Sequence, residues 1–86
     1  MDNTQKFAYL MKRIKAIRRD YLGILSNIQD EDERGNVLLM IVLLYGVSHL
    51  DEILDIDDTL LIMLSNILES AERGFLLDYT QNPVTQ

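Results

Sequence analysis

Residues 7–28, Phe-Ala-Tyr-Leu-Met-Lys-Arg-Ile-Lys-Ala-Ile-Arg-Arg-Asp-Tyr-Leu-Gly-Ile-Leu-Ser-Asn-Ile, decide the fold class. Apolar side chains recur at Phe7, Leu10, Ile14, Ile17, Tyr21, Ile24 and Ile28, in alternating steps of three and four. That period puts them on one stripe of an α-helix, and its regularity over three repeats is that of a coiled-coil seam. Thr4 or Asn3 is expected to cap the start, and only Gly23 weakens the interior, by about 1 kcal/mol relative to Ala. A helix of roughly 24 residues is about 36 Å long, more than a compact three-helix domain requires. Part of the seam is therefore expected to face another chain.

Working outward, Asp30-Glu31-Asp32-Glu33 comes next. Four carboxylates oppose the dipole at a helix C-terminus and complement it at an N-terminus. This predicts that helix 1 ends near Ile28 and that helix 2 starts near Glu31 with Asp30 as its cap. A competing reading makes Gly35 the stop of a longer first helix and Asn36 the cap of the next. Val37 to Tyr45 are nine apolar residues in succession. A helix apolar all round must be covered on all sides, and two neighbours cover only part of it, a second indication of self-association. Gly46 is expected to split this helix, because Ser48 followed by Asp51 resembles a capping box for a short new one. Helix 3 is predicted from about Asp58 to Arg73, with Leu60, Leu64, Ile67 and Ala71 inward and Gly74 as its stop. The domain spans 1–78, and the polar residues 79–86 read as a tail.

Residues 22–38 align without gaps on 61–77, with nine of seventeen positions identical, among them Ser26-Asn27-Ile28 with Ser65-Asn66-Ile67 and Glu33-Arg34-Gly35 with Glu72-Arg73-Gly74. Either the chain contains two copies of a helix-and-stop unit, or similar helix ends converged by chance; a repeat architecture ordinarily needs three or more copies.

Composition narrows the function. Eighty-six residues make a single domain, and 48% hydrophobic content makes it a folded one. There is no cysteine and one histidine, so neither disulfides nor a structural zinc site enlarges a small core; oligomerisation is the remaining means. No secretory signal opens the chain, and the longest uncharged run, Gly35 to Leu50, is shorter than the about 20 residues of a membrane span. A cytoplasmic protein is expected. Charge is strongly divided: residues 1–19 carry +5, six Lys and Arg against Asp2, and residues 20–86 carry −11, two Arg against thirteen acids.

Several motifs fail on inspection. His49 has Asp51 and Glu52 nearby, but Asp51 at i+2 faces away on a helix, so a half-exposed surface histidine is expected rather than an acid–base pair. Asp55-x-Asp57-Asp58 has Leu60 and Asn66 where a calcium loop requires Gly and Glu. Gly46-Val47-Ser48 resembles the turn of a helix-turn-helix, yet Asp51 and Glu52 would repel the phosphates that its second helix must approach. Met11, Met40 and Met63, and Tyr21 and Tyr45, read as core filling.

Helix 1 is the serious candidate. On its heptad, Lys6, Arg13 and Arg18 flank the seam, where acids of a facing helix can meet them, while Lys12, Lys15 and Arg19 point outward. The expectation is an all-α bundle of three long helices, the second split near Gly46, forming a homodimer. Its function is expected to be that of a non-enzymatic interaction module: an adaptor, inhibitor, chaperone or assembly factor, with no cofactor and no metal. Contacts are expected through Phe7, Leu10, Ile14 and Ile17 with Arg13 and Arg18, opposite Asp51, Glu52 and Asp55. The alternative is a regulator that lays Lys12, Lys15 and Arg19 on nucleic acid or an anionic membrane surface.

Overall fold

The computed structural model describes residues 1–80, and among them every regular element is helical. Helix α1 spans Asn3–Leu25, α2 Glu31–Val47 and α3 Asp58–Phe75; a 3-10 turn, Leu50–Glu52, lies between α2 and α3, and a π turn, Leu76–Thr80, continues α3.

The helix boundaries follow from local hydrogen bonding. Asp2, rather than Thr4 or Asn3, caps α1: its Oδ1 accepts from the Gln5 amide at 2.8 Å, and Gln5 Oε1 accepts from the Asp2 amide at 3.0 Å. This reciprocal pair satisfies two amides that helical bonding leaves free. At the other end α1 stops at Leu25, three residues before the expected boundary. Arg34 explains the early stop, since its guanidinium donates to the carbonyls of Leu25 at 2.7 Å and Ile28 at 3.4 Å. A cation on the last carbonyls suits the negative end of the dipole. Asp30 caps α2 through the Glu33 amide at 2.9 Å, with Glu31, Asp32 and Glu33 in the first turn, as the charge pattern required.

Two expected stops, Gly46 and Gly74, are absent, and so is the Gly35 stop of the competing reading. Gly35 lies inside α2, and Gly46 does not split that helix, which continues to Val47. The anticipated Ser48 capping box does not form; Ser48 Oγ instead donates back to the Tyr45 carbonyl at 2.6 Å, closing α2. Gly74 also stays helical, because α3 runs through it into the π turn. The apparent repeat therefore has no structural counterpart. Ser26-Asn27-Ile28 forms the turn between two helices, while Ser65-Asn66-Ile67 lies in the middle of one.

Helix α1 is the centre of the packing. It lies along both α2 and α3, with no comparable pairing between α2 and α3, and the molecule is elongated, 46 × 23 × 17 Å. Asn3 Nδ2 donates to the Ile56 carbonyl, and Tyr21 Oη donates to the Ala71 carbonyl at 2.8 Å, so α1 and α3 run in the same direction. Ile14, Leu44, Leu64 and Leu68 are wholly excluded from water, each side chain contributing about 1.5–3 kcal/mol. Gly74 permits the Tyr21 contact, since a Cβ there would stand 3.3 Å from the Tyr21 oxygen.

The C-terminal turn is anchored rather than frayed at its start. Tyr79 and Thr80, assigned to the tail on sequence, belong to the π turn; residues 81–86 lie outside the described residues. Tyr79 meets Tyr21 edge-on at 6.3 Å and Phe75 at 5.7 Å, and its hydroxyl donates to Glu33 Oε2 at 3.0 Å. Burial, then the Glu33 carboxylate, then Asp78 push the Tyr79 phenol up to about 12 from its usual 10. The neutral phenol is the form the fold prefers, so its contribution is complete below pH 10 and is lost as pH rises from 10 towards 12. Tyr79→Phe should accordingly flatten the fall of melting temperature across that window; equal slopes for both proteins would show that the latch carries no such linkage.

Candidate protein-docking face

Helix α2 exposes what helix packing ordinarily hides. Its apolar run is divided between two sides: Val37, Leu44 and Val47 are buried, with Met40 and Ile41 packed against them. Leu38, Leu39, Val42, Leu43 and Tyr45 face outward, with Leu39 69% and Val42 66% exposed. Positions 38, 39, 42 and 43 follow helical spacing and therefore share one face. Monomeric proteins seldom leave so many large apolar side chains together on one ordered element. Tyr45, read from sequence as a core residue, is 57% exposed, and its ring stacks beside His49 at 4.7 Å.

The residues expected to meet a partner on α1 lie elsewhere. Phe7, Leu10, Ile14 and Ile17 are buried within the chain, so the expectation that they form a docking surface is corrected: they are the core. The seam is covered by α2 and α3 of its own chain, with Met11 widening it. Arg13 forms an ion pair with Glu72 of α3, its Nε donating to Oε2 at 3.2 Å, and its guanidinium lies over the Tyr9 ring at 5.4 Å. Bonding to Glu72 outweighs partial desolvation and raises the Arg13 pKa. The pair is about a third exposed on both sides, where such bridges contribute at most about 1 kcal/mol.

Arg18 lies over the Tyr45 ring at 5.2 Å, bringing a cation to the edge of the α2 face. Asp51, Glu52 and Asp55 are exposed, and within the chain none forms an ion pair with Arg13 or Arg18 among the described residues; Arg13 meets Glu72 instead. Glu52 instead meets His49 Nδ1 at 2.9 Å, an exposed surface pair. Lys12, Lys15 and Arg19 are exposed and form no ion pair among the described residues. Their spacing keeps them on one outer stripe of α1.

Sequence reasoning missed the α2 face as a site while stating its cause. Nine apolar residues in a row were a signal that one side of α2 would lack cover, whereas the length of α1 pointed to a seam that is buried within the chain. A second, smaller apolar group, Leu54 and Met63, lines an open groove with Asp57, Thr59 and Leu60. Among the described residues no helix is long and apolar enough to cross a membrane, and no three acidic or histidine side chains are grouped to hold a metal ion. No family model, curated protein or solved structure matches the chain, so the functional reading rests on this geometry.

Proposed function

We propose that this chain is a non-enzymatic protein–protein interaction module, an adaptor, inhibitor, chaperone or assembly factor, that docks through the outward face of α2. The observation that carries this reading is the exposure of Leu38, Leu39, Val42, Leu43 and Tyr45 on a well-formed helix. Burying such a face supplies affinity, while charges at its margins set orientation. A cytoplasmic site belongs to the same reading, since a cysteine-free chain suits a reducing compartment.

The test compares two variants of the full chain as bait. Leu39→Asp with Val42→Asp should keep the helical spectrum and lose the proteins that wild type retains, identified by mass spectrometry and confirmed by direct binding. Lys12→Ala, Lys15→Ala and Arg19→Ala together should retain them. The second reading, polyanion binding by α1, is favoured by the exposure and shared stripe of those three cations. It requires wild type to bind duplex DNA or anionic vesicles with steep salt dependence, and the triple alanine variant to lose that binding. That outcome, with α2 variants behaving as wild type, would replace the first reading.

A further inference from the structure

The π turn is attached to the rest of the molecule by one side chain. Leu76, Leu77, Asp78 and Thr80 are exposed, and Tyr79 alone of the five packs against the core. The backbone of the turn continues α3 and has no extended packing on α1 or α2. The turn is also tied to itself, because Thr80 Oγ1 donates to the Leu76 carbonyl at 2.7 Å. Single π turns are rare and concentrate at functional sites.

Tyr79 reaches a place where little else joins the helices. Helices α2 and α3 pack on α1 rather than on each other, and the chain connects them at the opposite end, between Val47 and Asp58. At this end the bond from Tyr79 Oη to Glu33 Oε2, 3.0 Å, is the one side-chain hydrogen bond between α2 and the chain from α3 onward among the described residues. Glu33 is itself placed by the cap of α2, its amide donating to Asp30 at 2.9 Å, so the acceptor is in position once that helix forms. The Tyr79 ring rests on Tyr21 and Phe75 and borders an open cleft with Ile24, Ile28 and Asp78.

We propose that residues 76–80 are a clasp that opens as a unit while the three helices stay packed, uncoupling the start of α2 from the end of α3. Closing it covers the Tyr79 ring and makes one hydrogen bond. Opening it bares Tyr21 and Phe75 and widens the cleft beside Ile24 and Ile28. The middle of the core is untouched, since Ile14 lies about two turns of α1 before Tyr21, and Leu68 about two turns of α3 before Phe75. Segments held by few buried contacts open at a lower cost than the whole fold. The clasp requires nothing of the docking face of α2.

Amide hydrogen exchange of the full chain, resolved by residue, tests it. Tyr79→Ala should speed exchange at residues 77–80 by about tenfold or more and leave Ile14, Leu64 and Leu68 unchanged. Tyr79→Phe and Glu33→Ala should each speed it several-fold. The two together should do no more than the stronger of them, because both remove the same hydrogen bond. Faster exchange that spreads to Ile14 and Leu64 in any of these variants would make the turn part of one folding unit and overturn the clasp. Loss of the three helices in Tyr79→Ala would do the same, as would unchanged exchange at residues 77–80. Additive effects of Tyr79→Phe and Glu33→Ala would overturn the role of Glu33 as the catch.

Discussion

Ile14→Asp is expected to abolish folding, not merely association. Ile14 is wholly excluded from water in the seam that α1 presents to both other helices. A carboxylate there has no cation within the apolar cluster to meet it, and an unpaired buried charge costs several kcal/mol. The total stability of an 86-residue chain is about 4–13 kcal/mol on ordinary per-residue values, so this one change removes much or all of it. Far-ultraviolet circular dichroism at low concentration should show loss of helix for Ile14→Asp and retention for Val42→Asp. A folded Ile14→Asp protein that has lost only its ability to associate would return the docking face to α1.

The second large effect separates two adjacent leucines. Leu44→Ala should destabilise by about 2–5 kcal/mol, the cost of lost burial plus the cavity left behind. Leu43→Ala should change stability by no more than about 1 kcal/mol, because Leu43 is already 45% exposed and Leu44 wholly buried. Urea denaturation of the monomer at low concentration measures both, with unchanged slopes showing that the midpoint shift reports stability. Equal losses at both positions would mean that the outer face of α2 is covered within the single chain.

How much of this was legible beforehand can be stated residue by residue. The three-and-four spacing in α1 made the helix and its buried stripe readable, because periodicity is a local property of backbone geometry. The acidic start of α2 was equally readable, since dipole and cap act within one turn. Boundaries depending on distant partners were not. Arg34 ends α1 by reaching back across a loop, a contact that no propensity encodes. Gly74 resembled a stop, yet the helix continues there because Tyr21, Phe75 and Tyr79 pack around that turn.

The candidate site divides the same way. Charge asymmetry foretold that α1 cations would flank a seam, and Arg13 does meet an acid of α3 in its own chain. The particular acid, Glu72, followed from the parallel course of α1 and α3, which brings residues 59 positions apart together. Lys12, Lys15 and Arg19 were placed outward by periodicity alone and are exposed.

By itself the amino-acid sequence determined that this protein is helical, where α2 begins, and that it carries more apolar surface than three short helices hide. Those properties follow from spacing, capping and composition, which act over a few residues. Only the tertiary structure decided which surface is left over. The α1 seam is consumed by α2 and α3 of its own chain, because both pack on α1 rather than on one another. That arrangement leaves the far side of α2 without a neighbour among the described residues, and Leu39, Val42 and Leu43 are exposed for that reason.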